Sequence, residues 1–369
     1  MTVRKILSDV KTSGDSAVRK YSLEFDGQYK GELGKAEIRA AYRKVPDEVI
    51  SALRKAAGFI RAFAEKQISQ IMDFEINVAG AILGQRAVPI ERVGCYVPGG
   101  RFPLPSSALM GVIPAKVAGV KEVVVCSPKI QPVTIVAADI AGADRIFGIG
   151  GVQAIGAMAY GTETVPKADK IVGPGNRYVA EAKKEVFGTV GIDFIAGPSE
   201  ILIIADEAAR PEIIAADLAA QLEHDPDAAA ELITTSKELA ARIRELGFGA
   251  TVVTNLDEAV DLSNLRAPEH LELMLGNPGK IIPKLRNYGA LFIGEKSAVA
   301  FGDYCGPNHI LPTGGAACYT GGLSVLDFVK IVSFQRVEDA GEMVEVAGRL
   351  ADAEGLKAHK KSAEIRKSI

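Results

Sequence analysis

The stretch that decides the fold is KEVVVCSPKIQPVTIVAADIAGADRIFGIGGVQAIGAMAYG, residues 121–161. It shows the same pattern twice in succession. A short run rich in β-branched and aromatic residues is followed by a turn with Pro or Gly and then by a helical stretch. Parallel strands need crossover connections of this kind, which are usually helices. The stretch therefore predicts a parallel sheet in an α/β domain.

The pattern continues on both sides of this stretch. VGCYVP precedes it and KIVGPGN follows it, and the alternation restarts at EILIIAD with a helix from Pro211 and the strands ELITTS, TVVTN and GALFIG. Residues 1 to about 75 and those beyond about 324 are predicted to be helical. The sequence predicts an α/β fold with two Rossmann-like parallel-sheet domains, a helical N-terminal segment and a helical C-terminal tail. The predicted grouping is 1–93 with 203–323, then 94–202, then 324–369.

Composition limits the class of partner. The chain has 369 residues, a net charge of −3 and 48% hydrophobic residues. This charge argues against a nucleic-acid or anionic-membrane partner, since both favour a basic patch. No apolar run is long enough to span a bilayer, no signal peptide is evident, and the four cysteines form no C-x-x-C pair. We therefore expect a soluble cytoplasmic protein with reduced thiols.

Chemistry-bearing residues concentrate around the four histidines. Gln221 and His224 are three apart, so both project from one face of the last turn of the helix that begins at Pro211. An amide oxygen and an imidazole can supply two ligands of a metal site, although a histidine at a helix end can also serve only local hydrogen bonds. Because this helix follows the strand EILIIAD, we expect the pair near the carboxyl ends of the strands.

The other histidines lie in three separate segments. Glu269 and His270 are adjacent in LRAPEHLELM and could share proton transfer, or simply form a surface pair. Asp303 and His309 belong to the loop GDYCGPNHILPTGG, where polar side chains favour a functional interpretation. His359 stands near the C-terminus, and no function follows from its position alone.

Taken together and in this order, these segments resemble the L-histidinol dehydrogenase family. The matching stretches are VGCYVPGG, GGVQAIGAMAYGTETVPKADKIVGPGN, AGPSEILIIAD, QLEH, APEHLE, GDYCGPNHILPTGG, GLSVLDF and EGLKAH. The resemblance runs from the helical N-terminal region to the tail. It implies a zinc-containing, NAD-dependent enzyme that oxidises L-histidinol through L-histidinal to L-histidine, the final steps of histidine biosynthesis. It also implies a homodimer whose tails are exchanged, so that the active sites are shared.

The resemblance assigns roles residue by residue. His270 would take the hydroxyl proton while hydride leaves for NAD, and Glu269 would activate the water that hydrates the aldehyde. Zinc would orient the substrate rather than polarise the reacting alcohol, and its ligands would be Gln221, His224, Asp303 and His359. The substrate would also contact Ser199, His270, His309 and Glu354. NAD would bind on the side of residues 94–202, at Tyr96, Gln153 and Asn176.

The chain departs from the family pattern in three places. It is shorter at the N-terminus and in the region 237–260, and it has Arg101 and Phe102 where family members usually have smaller residues. Two alternatives stay open. One is a paralogous zinc and NAD dehydrogenase of another small amino or sulfo alcohol, against which Glu354 argues because a carboxylate suits a cationic substrate. The other is a non-catalytic metal- or nucleotide-binding protein, which would not need Glu269 beside His270.

Overall fold

The computed structural model describes residues 2–99, 102–223 and 226–367. Within these ranges the strands are β1 Lys30–Glu32, β2 Phe74–Val78, β3 Ala81–Pro89, β4 Arg92–Tyr96, β5 Glu122–Cys126, β6 Arg145–Gly148, β7 Lys170–Val172, β8 Gly191–Ile192, β9 Glu200–Ala205, β10 Ala229–Thr234, β11 Gly249–Val252, β12 His270–Met274, β13 Ala290–Ile293 and β14 Val329–Val337. The helices are α1 Val3–Asp26, α2 Lys35–Tyr42, α3 Asp47–Ile68, α4 Pro105–Val117, α5 Pro132–Ala141, α6 Gly151–Tyr160, α7 Arg177–Val186, α8 Pro211–Leu222, α9 Lys237–Glu245, α10 Leu256–Arg266, α11 Val299–Cys305, α12 Gly341–Ala353 and α13 Lys357–Glu364.

The first sheet contains the stretch from which the sequence analysis began. Its order is β1-β6-β5-β4-β7-β8, and its strands are parallel except at the β1–β6 edge. One hydrophobic cluster packs α2 to α5 on one face, and a second cluster packs α1, α6 and α7 on the other. Burial on both faces explains the continuously apolar strands such as Val123–Cys126. The predicted α/β fold is confirmed.

The second sheet is fully parallel, in the order β11-β10-β9-β12-β13. Alternate residues of β9 and β12 face opposite layers. Ile203 and Met274 pack with α8 and α9, whereas Ile204 and Leu273 pack with α10. The alternation fixes which side of β12 faces α8, and that side includes His270 and Glu272 because strand side chains alternate between faces.

A third, antiparallel sheet of β14, β3 and β2 was not predicted. The sequence pattern predicts only helices beyond residue 324, but β14 pairs with β3 along nine residues before α12 and α13 follow. Both β2 and β14 are largely exposed. The sequence of β14 shows no regular apolar alternation, and the alternating sequence of β2, FEINV, is only five residues long. The pairing of β14 with β3 also spans about 250 residues of chain, which no local pattern reveals.

The N-terminal helices pack on the first sheet. They share hydrophobic clusters with residues 93–190, whereas the predicted grouping places residues 1–93 with 203–323. The predicted domain boundaries themselves stay a prediction. No helix in the described ranges has the length and apolarity required to cross a bilayer.

Candidate active site

Glu269 and His270 are both buried where β12 begins. They are 5% and 4% exposed, so the alternative of a surface pair is wrong. One backbone unit of the neighbouring strand holds both side chains. The amide N–H of Glu200 donates to Glu269 Oε2 at 2.9 Å, and the carbonyl oxygen of Glu200 lies 3.1 Å from His270 Nδ1. Since β9 and β12 are neighbouring parallel strands, the sheet itself orients the two side chains.

This contact defines the protonation pattern of His270. A carbonyl oxygen only accepts, so Nδ1 must carry the hydrogen that it receives. In the neutral ring Nε2 is then the acceptor nitrogen and can take a proton. His270 Nδ1 also lies 3.5 Å from Glu269 Oε2, and the ring sits 6.0 Å from the ring of Phe292. The arrangement suits a general base held by its other nitrogen.

Burial, with smaller contributions from the negative charges of Glu200 and Asp303, raises the pKa of Glu269 to about 8. Hydrogen bonds from the Glu200 backbone and the Ser199 side chain oppose this rise. Such a pKa lies near neutral pH, where a carboxyl group exchanges protons most effectively as an acid and base. The same interactions show that the structure brings the predicted residues Ser199 and Asp303 close to Glu269.

The loop after α11 connects this site with the first sheet. His309 Nδ1 lies 2.7 Å from the carbonyl oxygen of Asp303, and its Nε2 lies 3.1 Å from Ser107 Oγ in α4. Asn308 is buried, and its Nδ2 donates to the carbonyl oxygen of Met110 at 2.9 Å. His309 is therefore located between the two α/β layers, as expected for a residue that lines a cleft.

Gln221 lies in the last turn of α8 and is 2% exposed, with an amide nitrogen that has no hydrogen-bond partner among the described residues. His224 lies outside the described residues. The expected location at the carboxyl ends of the strands is wrong for Gln221. Helix α8 follows the end of β9 and runs in the opposite direction. It is joined by a short connection to Ala229, which pairs with Glu200 at the start of β9. The last turn of α8 therefore lies at the edge where the strands begin. Glu269 and His270 lie at this same edge.

The two predicted tail residues stand apart in the single chain. His359 is exposed on α13, in a surface groove with Ala358, Ser362, Ala363 and Arg366, and Glu354 is exposed at the end of α12. In the described ranges, which omit His224, no three His, Cys, Asp or Glu side chains are grouped as metal ligands. The predicted ligands Gln221 and Asp303 are at the site, and His359 is not shown to join them within one chain.

The three residues assigned to NAD line one cavity of about 580 Å³. Tyr96 ends β4, Gln153 lies in α6 and Asn176 caps α7, so they surround the carboxyl ends of the first sheet, where α/β proteins bind nucleotides. The Tyr96 hydroxyl accepts from the Gly151 amide at 3.1 Å. Gly173 has φ +115° and passes against the Tyr96 carbonyl, where a Cβ would collide. This glycine lets the turn before Asn176 approach the strand.

The cavity contains an unsatisfied polar group. Gln153 is 1% exposed, yet neither its amide nitrogen nor its amide oxygen has a partner among the described residues. A buried amide without partners is costly, and a polar ligand in the cavity would supply the missing hydrogen bonds. Asn176 uses its side-chain oxygen to accept from the amides of Tyr178 and Val179, which leaves its Nδ2 available as a donor. Both side chains fit a polar nucleotide.

Several residues of these sites were missed by the sequence analysis. Val3, Ile6, Phe25 and Asp26 of α1 line the cavity. The backbone of Glu200 and the side chain of Ser107 contact the predicted histidines. Of these residues, only Glu200 could have been found from the sequence, because it is adjacent to Ser199 in GPSE. Of the unusual pair at 101 and 102, Arg101 lies outside the described residues and Phe102 is exposed.

Comparisons with known proteins agree along the whole chain. The family model described as histidinol dehydrogenase matches residues 1–248 and 245–367. The histidinol dehydrogenase of Methanocaldococcus jannaschii is 45% identical over 97% of this chain and 90% of its own length. That of Aquifex aeolicus is 45% identical over 100% and 92%. The crystal structure of histidinol dehydrogenase from Elizabethkingia anophelis matches with a TM-score of 0.94 and 36% identity, covering 99% of this chain and 91% of that one.

Proposed function

The chain belongs to the histidinol dehydrogenase family, and from that premise we propose that it oxidises L-histidinol through L-histidinal to L-histidine, with NAD and one zinc ion per site. The observation that carries the proposal is the buried Glu269–His270 pair, held by one backbone unit of β9. A binding protein without catalytic activity would have no use for a buried acid and base in this arrangement.

His270 acts as the base in both oxidations, and Glu269 acts only in the second. In the first, His270 Nε2 takes the hydroxyl proton while the carbon-bound hydrogen leaves as hydride, for which NAD is the acceptor. In the second, Glu269 takes a proton from the water that adds to the aldehyde carbon. The proton held by His270 passes to the aldehyde oxygen, which completes the hydrate and restores the neutral imidazole. His270 then takes a hydroxyl proton from the hydrate while the second hydride leaves for a second NAD. Keeping the aldehyde in a closed site prevents its escape.

The proposed metal site uses nitrogen and oxygen donors. Gln221, His224 and Asp303 would hold zinc together with His359, and a set without thiolates suits zinc or a similar divalent ion. Gln221 is buried at the same edge of the sheet as Glu269 and His270, and its amide is not fully hydrogen-bonded within the described residues, so it is available as a ligand. Zinc would orient the imidazole and amino groups of the substrate. We propose that Glu354 pairs with the positive charge of the same substrate.

We further propose a homodimer in which each tail completes the site of its partner. His359 and Glu354 are exposed in the single chain, which supports this arrangement. The third sheet and the tail helices also expose large apolar side chains, as expected of a surface that becomes covered: Phe74, Ile76, Ile331, Val332, Val346, Leu350 and Ile365. We place the protein in the cytoplasm, as for other enzymes of amino-acid biosynthesis.

The first test is a count of NADH formed per L-histidinol consumed. We expect about two NADH per substrate because two hydrides leave in sequence, with activity lost on chelation and restored by zinc. About one NADH per substrate would mean that the aldehyde escapes. No turnover of histidinol, with turnover of another amino or sulfo alcohol in a parallel panel, would instead support the paralogous dehydrogenase.

A second prediction concerns Gln153 in the cavity of the first sheet. Replacing Gln153 by Leu should weaken NAD binding by up to about tenfold, the value of one or two hydrogen bonds. The melting temperature should stay the same or rise, because the change removes two unsatisfied buried atoms. Isothermal titration of NAD without substrate measures the affinity. The exposed Gln70→Leu serves as the control, and equal NAD affinity in both variants would remove Gln153 from the site.

A further inference from the structure

The second sheet buries two carboxyl groups that the proposed reaction does not use. Glu272 in β12 is 0% exposed, and neither of its carboxyl oxygens makes a hydrogen bond of normal geometry in the described ranges. Asp217 in α8 is 7% exposed. Both side chains are buried in the layer between α8 and the second sheet, near enough for each to influence the pKa of the other. Such a pair is unfavourable in an apolar layer unless it has a specific role.

Each acid lies next to a residue of the candidate active site on the same face of its helix or strand. Asp217 precedes Gln221 by four residues on α8, so both lie on the buried face, about 6 Å apart along the axis. Glu272 follows His270 by two residues and points to the same face of the sheet, about 6.6 Å along the strand. The acids therefore form a polar contact between the helix and the strand, directly beneath the residues assigned to metal binding and catalysis.

A polar contact can specify the position of the helix on the strand more strictly than the apolar contacts around it. Most of the buried side chains around the two acids are aliphatic, among them Ile203, Ile214, Leu218 and Val299. Aliphatic contacts tolerate sliding and rotation, whereas a buried polar pair satisfies its groups in one register only. Burial and the Asp217 charge raise the pKa of Glu272 to about 9, so it is protonated at neutral pH and can donate to the Asp217 carboxylate.

We propose that Asp217 and Glu272 are a positioning pair that fixes α8 against β12 and so sets the separation of Gln221 from His270. This inference rests on the proposed function, because that function assigns Gln221 to the metal and His270 to the hydroxyl proton. Neither acid touches the substrate. Their effect passes through the helix to the amide ligand and through the strand to the imidazole.

The test separates positioning from stability with three variants of the full chain. Asp217→Ala combined with Glu272→Leu removes both polar groups and nearly conserves their total volume, so the melting temperature of the metal-free protein should not fall. Its zinc affinity should fall about 10- to 100-fold, the usual effect of losing a group that orients a ligand. Glu272→Gln keeps a donor for Asp217 and should stay within about threefold of the unmodified chain.

Ile243→Ala is the matched control. Ile243 lies in α9 in the same apolar layer and has no connection to the site, so this variant should melt earlier while its zinc affinity is unchanged. Zinc affinity is measured by titration of the metal-free protein without substrate, and kcat with histidinol is measured in parallel.

Two results would contradict the proposed positioning role of Asp217 and Glu272. One is a double variant that binds zinc as well as the unmodified chain, and the other is a Glu272→Gln variant as weak as the double one. Zinc binding without turnover of histidinol would contradict the proposed reaction. The role of the Asp217–Glu272 pair would then still be tested by the zinc affinities of the variants. An unmodified chain that binds no zinc would contradict both.

Discussion

Replacing Glu269 by Gln should stop the reaction after its first half, so that the NADH yield falls from about two to about one per L-histidinol. The amide cannot take a proton from water, and loss of a general base typically costs about 10²- to 10⁴-fold in the step that it serves. His270 keeps its contact to the Glu200 carbonyl, so the first hydride transfer should persist. Stopped-flow NADH formation, with the aldehyde trapped chemically, measures both halves.

The exposed Glu207→Gln is the matched control, because it removes a carboxylate outside the site and should preserve the yield of two. An unchanged yield in Glu269→Gln would show that another group activates the water. In the unmodified chain, the second half should become faster as pH rises through the pKa of Glu269, since only the ionised carboxylate acts as the base. That pKa is about 8 in the metal-free protein, and a bound cation would lower it.

The same substitution should stabilise the metal-free protein at alkaline pH. A carboxyl whose folded-state pKa is raised from 4.5 to about 8 binds a proton more strongly when folded. Its favourable contribution is complete below pH 4.5 and is lost as pH rises through about 8. Glu269→Gln does not titrate, so its gain over the unmodified chain should grow with pH to the order of a few kcal/mol. Urea unfolding at pH 5 and pH 9 measures this difference.

Mixing two inactive variants, His270→Ala and His359→Ala, should restore about a quarter of the activity. If tails are exchanged, a mixed dimer has one site with both substitutions and one intact site. Random reassociation makes about half of the dimers mixed, and half of their sites are intact. The prediction follows from the separation of exposed His359 from buried His270 in one chain. Activity is measured after the two chains are dissociated together and refolded.

The control mixture pairs His270→Ala with Glu269→Ala. Both residues belong to the same segment at the start of β12, so every site in a mixed dimer carries one defect. The complete reaction, measured as L-histidine formed, should therefore not return. Recovery in this control would indicate an artefact of refolding. Failure of the first mixture to recover, with each chain shown to dimerise, would contradict shared sites and would require His359 to act within its own chain.

The sequence by itself determined the alternation of strands and helices and supplied the candidate residues for the chemistry. The βαβ pattern is local, since short apolar strands, Gly or Pro turns and helices follow one another within about 30 residues. It predicted the two parallel sheets that the structure contains. The segments around Gln221, Glu269 and Asp303 were identified because a compact motif keeps its polar residues together along the chain.

Only the tertiary structure decided how these segments meet. The antiparallel pairing of β14 with β3, the packing of α1 onto the first sheet and the Glu200 backbone contacts all join residues far apart in sequence. The location of Gln221 at the starting edge of the second sheet depends on the direction of α8, which a ligand motif does not encode. The Asp217–Glu272 pair appears as two unrelated acids in the sequence. Local patterns report periodicity and turns, whereas burial and long-range contacts exist only once the chain has closed on itself.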